Sequence, residues 1–336
     1  MPVTIREIAK KLNLSVAAVS RAMDGYPDIS EKTRQRVVQT AREMGYVPNR
    51  AARQLRRQKA DTIGFILPAN ATRFDEPFFL EFISGLGDAL SDQNIDLLVA
   101  NAKTEEMERT LYHHWLHSRK VDGIVLTRIQ KKDWRVQFLC QENFPFTALG
   151  KSQDGQDYPH IHIDGSRGFE ELVRHLSERG FSRMAFIGGH RNLISHLDRL
   201  RWFKAALIKQ GLPYNEDLCL PSSMTSEGGY GIAKQLLSRR DPPDALVCVN
   251  DETAIGALRA AHELGLTIGR EVGIAGFEGV VDSEYTEPPL TTLDLPVHDL
   301  AHQLMQMLIA IINGDNPSPR VIKVKPNLVI RGSTGG

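Results

Sequence analysis

The sequence has few cysteines and lacks every arrangement of them that would bind a metal or form a redox pair. Its three cysteines, Cys140, Cys219 and Cys248, are widely spaced, and no Cys-x-x-Cys occurs among the 336 residues. Single, distant cysteines are typical of buried, reduced thiols. The pattern therefore excludes a zinc ribbon and a disulfide-stabilised secreted domain.

Long apolar runs are lacking as well. No stretch approaches the roughly 18–20 apolar residues that a membrane span needs. The first residues, MPVTIREIAK, carry charges and no apolar segment of the kind found in signal peptides. We expect a cytoplasmic protein that has no membrane partner.

Motifs of catalysis and of cofactor binding are also missing. No Gly-x-Ser-x-Gly occurs, and Gly150-Lys151-Ser152 resembles a phosphate-binding loop in which Pro145 replaces the required glycine. His113 and His117 share a helix face but lack the glutamate of a zinc protease. We therefore expect no enzyme, no catalytic residue, no metal and no cofactor.

What the sequence does have is an uneven distribution of charge. Residues 1–60 hold 13 Lys and Arg against 5 Asp and Glu, although the whole chain is neutral. A head of net charge +8 on a body of net charge −8 predicts a nucleic-acid partner for the head.

Three short helices are predicted in this basic head. Thr4 and Glu7 form a capping-box pattern, Ser15 is a favoured N-cap for VAAVSRAM, and Ser30 is a favoured N-cap for a third helix. Apolar residues at helical spacing give each helix one inner face. A helix, a tight turn, a second helix and a supporting helix predict a helix-turn-helix domain over residues 1–47.

The segment 48–60 follows as a short, basic linker. Pro48 ends the preceding helix, and Arg50 to Arg57 could form a helix of about eight residues, which is marginal in water. We expect this linker helix to fold only against DNA or a second copy of itself.

The body, residues 61–336, alternates buried strands with amphipathic helices. The predicted strands include TIGFIL (62–67), GIVL (123–126), FTAL (146–149), HIHI (160–163) and MAFIG (184–188). Such alternation, repeated in two series, predicts two doubly wound parallel-sheet lobes. We assign residues 61–160 with 290–320 to one lobe and 161–289 with 321–336 to the other. A ligand cleft is expected between them, at the carboxyl ends of the strands.

Several segments resemble one known family. VTIREIAKKLNLSVAAVSRAMDG and ISEKTRQRVVQTAREMGYVPNRAARQL are similar to the head of the lac repressor and galactose repressor family of bacterial transcription regulators, and DGIVL, ALVCVNDETAIGAL and VGIAGFEG are similar to its core. The resemblance covers residues 3–330. It implies a helix-turn-helix head on a core that is like periplasmic sugar-binding proteins. It also implies a homodimer on a palindromic operator in double-stranded DNA, controlled by a small molecule in the cleft.

The resemblance assigns the second head helix to the major groove and the linker to the minor groove. Arg21 could then fork onto a guanine, Val16 and Ala17 could contact a thymine methyl group, and Leu55 matches the leucine that wedges a base step. The DNA-contacting residues implied in this way are Thr4, Ser15, Val16, Ala17, Ser20, Arg21, Asn49, Arg53 and Leu55.

Candidate effector residues follow from strand ends and from the matched motifs. Arg199 matches an arginine that holds ligand hydroxyls, Glu278 stands in a place usually taken by aspartate, and Trp202 stands where the family often has glycine. A Gly150-Lys151 pair resembles members that respond to α-glucosides. The full set is Asn70, Arg73, Phe79, Thr127, Arg128, Lys151, Arg199, Trp202, Asn250, Asp251 and Glu278.

The sequence thus predicts a sugar-responsive transcriptional regulator, with repression relieved by the sugar. A corepressor of opposite sign remains an alternative, as does a sugar-binding protein of periplasmic type, although the latter has no use for the basic head.

Overall fold

The computed structural model describes residues 3–46, 59–68 and 76–336. The chain divides into two compact units, Met1–Ala60 and Asp61–Gly336.

The head contains three helices, and their bounds follow the capping residues. Ser15 Oγ accepts a hydrogen bond from the Ala18 amide at 3.0 Å, and Asn13 ends the first helix in the left-handed conformation that asparagine tolerates. The helices are α1 (Ile5–Leu12), α2 (Val16–Met23) and α3 (Glu31–Glu43). Their core is Ile8, Ala9, Val19, Ala22, Val37 and Ala41.

The first lobe of the body is built on a six-stranded parallel sheet in the order β11-β5-β4-β3-β1-β2. Its strands are β1 (Thr62–Leu67), β2 (Asp96–Asn101), β3 (Gly123–Leu126), β4 (Phe146–Leu149), β5 (His160–Ile163) and β11 (Val321–Val324). Its helices are α4 (Pro77–Asp88), α5 (Glu105–His117), α6 (Trp134–Gln141) and α11 (Val297–Ile312).

The second lobe has a six-stranded sheet in the order β12-β10-β9-β8-β6-β7, in which only the β10–β12 pair is antiparallel. Its strands are β6 (Met184–Gly188), β7 (Cys219–Pro221), β8 (Ala245–Cys248), β9 (Gly273–Glu278), β10 (Thr291–Asp294) and β12 (Asn327–Val329). Its helices are α7 (Ser166–Glu178), α8 (Ile194–Lys209), α9 (Ser226–Leu237) and α10 (Asp251–Glu263).

The two predicted doubly wound lobes are therefore confirmed. Three segments that form strands lie in the lobe opposite to the one to which they were assigned. Residues 160–163 pair with residues 321–324 in the first sheet, whereas residues 291–294 pair in the second sheet. Hydrophobic pattern predicts a strand but not the sheet that it joins. The chain passes between the lobes three times, at residues 164–165, 295–296 and 325–326.

Candidate functional site

In the head, α2 presents a small exposed face. Ser15, Val16 and Ala17 are exposed at its start, and Arg21 is exposed one turn later. The Arg21 guanidinium pairs with Asp28 and lies 5.5 Å from the centre of the Tyr26 ring. These neighbours hold the arginine at the surface, in reach of a ligand outside the head.

Of the residues expected to contact DNA, Thr4 is exposed and Ser20 is buried. Ser20 is only 5% exposed, and its Oγ has no hydrogen-bond partner within the described residues, which does not favour the expected contact with a phosphate. Its helical position, one residue before Arg21, turns it toward the core. Thr4 donates from its amide and hydroxyl to Glu7 at 2.6 and 2.9 Å, which completes the predicted capping interaction.

Five candidates lie outside the described residues. They are Asn49, Arg53, Leu55, Asn70 and Arg73.

In the body, a cleft lies between the lobes at the carboxyl ends of the strands, as parallel-sheet topology predicts. Its empty space, including the opening to solvent, is about 820 Å³. Polar side chains from both lobes face it together with aromatic and aliphatic ones. The principal lining residues are Glu76, Phe78, Thr127, Arg128, His162, Ile194, Asp198, Arg199, Trp202, Asn250 and Glu278.

Arg199 lies on the second-lobe wall of the cleft. Its guanidinium donates to the Val249 carbonyl and to Glu278 Oε1 at 3.5 Å, and it stacks 3.8 Å from the centre of the Phe277 ring. Burial lowers the pKa of this guanidinium, and the nearby Glu278 opposes that effect. The arginine is thus oriented before any ligand arrives.

Glu278 ends β9 with a φ of 110°, a backbone conformation that residues with a side chain rarely adopt. Burial raises the pKa of its carboxyl to about 8, against the opposing charge of Arg199, and Asp251 and Glu76 add to the rise. At neutral pH the carboxyl therefore holds a proton that it can donate.

Thr127 and Arg128 form the opposite wall. Arg128 pairs with Glu76 at 2.5 Å and lies 5.0 Å from the centre of the Phe79 ring. Thr127 is 1% exposed, and its Oγ1 is buried and has no hydrogen-bond partner among the described residues. A buried hydroxyl without a partner is costly, and a ligand that reached this atom would satisfy it.

A loop after β3 carries these residues and also joins the lobes. The Lys131 amide donates to Asn192 O at 2.8 Å, and the Ile194 amide donates to Ile129 O at 2.9 Å. These two bonds flank an isolated antiparallel bridge between Gln130 and Leu193. We call this contact the interlobe bridge.

A buried ion pair fixes the same loop. Arg135, 1% exposed, donates to Asp133 at 2.7 and 3.0 Å and to the carbonyls of Thr127 and Arg128 at 3.1 and 3.0 Å. Asp133 in turn accepts from the Gln130 amide at 2.9 Å. Both walls of the cleft are thus held before a ligand binds.

Three predicted effector residues do not line the cleft. Asp251 accepts from the amides of Gly279 and Val280 and from Thr292, so it anchors the segment after β9. Phe79 is fully buried, and its neighbour Phe78 lines the cleft instead. Lys151 is half exposed and lies 4.0 Å from Asp157, away from the cleft, although the preceding Gly150 lines it.

Asn250 lines the cleft, but its side chain is occupied. Its Oδ1 accepts from the Thr253 amide at 3.1 Å and caps α10, while its Nδ2 donates to Met224 O at 3.1 Å. We expect it to shape the cleft more than to recognise a ligand.

Sequence reasoning missed Glu76, Phe78, His162 and Asp198. Asp198 directly precedes the predicted Arg199, which was an available signal, and His162 occupies the end of a predicted strand. Glu76 had no signal of its own in the sequence.

The described parts of the chain lack two features. No helix there is long and apolar enough to cross a membrane. No group of three His, Cys, Asp or Glu residues within them could hold a metal ion.

Comparisons with known proteins agree with this arrangement. A profile of "Bacterial regulatory proteins, lacI family" matches residues 4–49, and one of a "Periplasmic binding protein-like domain" matches residues 173–334. The HTH-type transcriptional regulator AglR of Rhizobium meliloti is 33% identical over 341 residues, covering 100% of this chain and 95% of AglR.

Two solved structures have the same fold. A transcriptional regulator CelR–cellobiose complex superposes with a TM-score of 0.76 at 26% identity, covering 98% of this chain and 99% of CelR. The lac repressor dimer bound to operator and the anti-inducer ONPF superposes with a TM-score of 0.83 at 23% identity, covering 99% of each chain.

Proposed function

Because the chain belongs to the lacI family of bacterial regulatory proteins and is a DNA-binding transcriptional regulator, we propose that a neutral sugar in the cleft controls its hold on operator DNA. The observation that carries this proposal is the polar lining of the cleft. Two arginines held by acidic side chains line the cleft together with Thr127, whose buried hydroxyl has no partner among the described residues.

The charge of the lining favours a neutral ligand over an anionic one. Arg128 is paired with the carboxylate of Glu76, and Arg199 lies beside the Glu278 carboxyl and near the further acid Asp198. A phosphorylated sugar would have to displace these acidic groups. A hydroxyl can instead accept from an arginine and donate to a carboxylate at once.

Shape supports a sugar as well. Trp202 and Phe78 line the cleft and offer flat apolar faces for a pyranose ring. The family structure that holds cellobiose supports the same class of ligand. A disaccharide is our first candidate.

For DNA, we propose that α2 enters the major groove, with Arg21 reading a guanine and Val16 and Ala17 contacting a thymine methyl group. Ser15 and Thr4 would contact phosphates through their exposed positions. Residues 1–47 would form the reading domain and residues 48–60 the linker, with Asn49, Arg53 and Leu55 at the minor groove.

The linker assignment has a direct test. Replacing Leu55 by alanine should weaken specific operator binding at least tenfold while the unfolding of the body is unchanged, because the wedge acts only on DNA. Fluorescence anisotropy on operator DNA and thermal unfolding measure the two. Unchanged operator affinity would remove the wedge role.

We propose further that the chain acts as a dimer and as a repressor. Helix-turn-helix proteins read two half-sites through a two-fold axis. A sugar that changes the angle between the lobes would separate the paired linkers and weaken DNA binding, by a coupling of a few kcal/mol.

One experiment tests the whole function. Anisotropy of the full chain on the promoter DNA beside its own gene is measured with and without maltose, cellobiose, glucose and other sugars. Tight, salt-sensitive binding that one sugar releases is the expected result. Binding that a sugar strengthens would establish a corepressor, and binding that no sugar changes would contradict the sugar proposal. Turnover of a bound sugar would contradict the non-enzymatic reading.

A further inference from the structure

Gly165 lies in the first passage between the lobes, directly against the ring of Trp202. The passage joins β5 of the first lobe to α7 of the second. A Cβ atom added at Gly165 would lie 2.7 Å from Cζ3 and 2.8 Å from Cε3 of Trp202. Those distances are well inside van der Waals contact, so no larger residue fits while the ring keeps its place.

The backbone of Gly165 does not itself require glycine. Its φ of −85° and ψ of 1° are open to residues with a side chain. The indole ring is therefore the reason that a side chain is excluded at this position.

Trp202 connects the passage to the cleft. Its ring lines the cleft from α8, one turn after Arg199, and it packs on Phe169 of α7 with ring centres 6.0 Å apart. Phe169 and the backbone of Gly165 support the ring from the protein side. The empty space next to the ring is the cleft.

We propose that Gly165 is a positioning residue that seats Trp202 against the passage and so sets how large a sugar the cleft accepts. This inference rests on the proposed function, since it takes a sugar as the ligand. A methyl group at residue 165 would push the indole into the cleft and remove room that a second sugar ring needs.

The test uses the full-length chain and the variant G165A, with G231A as matched control. Gly231 is an exposed residue of α9, and an added Cβ there meets nothing within 4 Å. Binding of maltose, cellobiose and glucose is measured by calorimetry. We expect G165A to lose at least tenfold in disaccharide affinity, with a smaller loss for glucose, and a shift of tryptophan emission. We expect G231A to bind like the wild type.

Rescue separates positioning from a general structural defect. In a Trp202→Leu background, adding G165A should change the dissociation constant of the disaccharide less than twofold. The equilibrium constant of unfolding should also change less than twofold, because the clashing ring is gone. An equal loss in both backgrounds, or wild-type affinity and emission in G165A alone, would overturn the proposal.

Failure of the proposed function would show differently. If the wild type binds no sugar, the proposed function and the proposed size selection are both contradicted. The emission shift and the unfolding of the same four variants would then still decide whether Gly165 seats the indole.

Discussion

At the scale of single residues, the carboxyl of Glu278 combines unusual features that belong to one site. It is buried, its backbone lies at a φ of 110°, and its nearest cation is Arg199 at 3.5 Å. Strained backbone and perturbed carboxyls concentrate where a protein binds ligands, because the surrounding fold must hold them in place. The charges of Glu76 and Arg128 in the first lobe also act on this carboxyl.

The raised pKa of Glu278 predicts a pH dependence of stability. The folded protein holds this proton up to about pH 8, whereas the ordinary value is 4.5. The contribution of this group to the free energy of unfolding is fully present below about pH 4.5. It is lost as the pH rises from there through about 8. The free energy of unfolding should fall by up to about 1.4 kcal/mol per pH unit, the limit for one proton.

Denaturant unfolding between pH 6.5 and 8 measures this slope. Asp251, whose pKa is raised to about 6 by burial, contributes mainly below that window. Glu278→Gln should flatten the slope. An equal slope in the variant and the wild type would assign the dependence to other groups.

Substitution of two buried threonines is expected to have opposite effects on sugar affinity and on stability. Thr127 Oγ1 has no partner among the described residues, whereas Thr147 Oγ1 donates to Leu304 O at 3.1 Å. Thr127→Val should lower sugar affinity about tenfold and leave stability unchanged or improved, since one lost hydrogen bond is worth about 1 kcal/mol. Thr147→Val should lower stability by about 1–2 kcal/mol and leave affinity unchanged. Calorimetry and denaturation test both, and equal effects on affinity would refute the role of Thr127.

At the scale of elements, the loop after β3 joins recognition to the contact between the lobes. The buried pair of Asp133 and Arg135 holds the carbonyls of Thr127 and Arg128. The same loop forms the interlobe bridge at Gln130. Ile129 and Ile194 take part in the bridge and also line the cleft. The contact between the lobes and the lining of the cleft thus share one segment of the chain.

Proline at residue 131 should break the interlobe bridge without touching the cleft. Lys131 is exposed and does not line the cleft, and the extended conformation of Gln130 is compatible with a following proline. Lys131→Pro removes the amide that bonds Asn192, whereas the control Lys131→Ala keeps it. Hydrogen exchange of the Ile194 amide should speed at least tenfold in the proline variant alone. Similar exchange in both variants would show that the bridge does not hold the lobes.

Elements differed in how far the sequence predicted them. The sequence predicts both end residues of the strands at 123–126, 146–149, 160–163 and 184–188. In each, four or five successive apolar or β-favouring residues stand between clear breakers. The strands at 219–221, 291–294, 321–324 and 327–329 were missed, because they are short and their burial depends on pairing.

The same limit applies to the cleft. Arg199, Trp202 and Glu278 were predicted from motifs and do line it. Phe79 was chosen in place of Phe78 because one position along a helix turns a side chain by about 100°, and the register of α4 depends on tertiary packing. Asp251 was chosen because its position at a strand end fits a ligand group and an anchoring group equally well.

At the scale of the whole molecule, large apolar side chains remain exposed on the second lobe. Val281 and Tyr285, at the two ends of one short 3-10 turn, are 66% and 80% exposed. Apolar side chains exposed close together can form part of a surface that meets a partner. We propose that these two belong to the dimer interface.

Val281→Asp should therefore yield a monomer at micromolar concentration and weaken operator binding at least tenfold, because one head reads only one half-site. Ile208, which is 62% exposed on α8, provides the control Ile208→Asp, and this variant should remain a dimer. Light scattering gives the mass of each. A dimeric Val281→Asp, or a monomeric wild type, would contradict the assignment.

The three passages of the chain between the lobes also bear on how the molecule is made. Strand β11, at residues 321–324, completes the sheet that β1 begins at residue 62. On the ribosome, the first lobe therefore stays unfinished until residues 321–324 have been synthesised, while the head can fold as soon as it emerges. A message cut before codon 321 leaves an open edge on β5. Premature termination should thus release aggregating fragments rather than a working half-molecule.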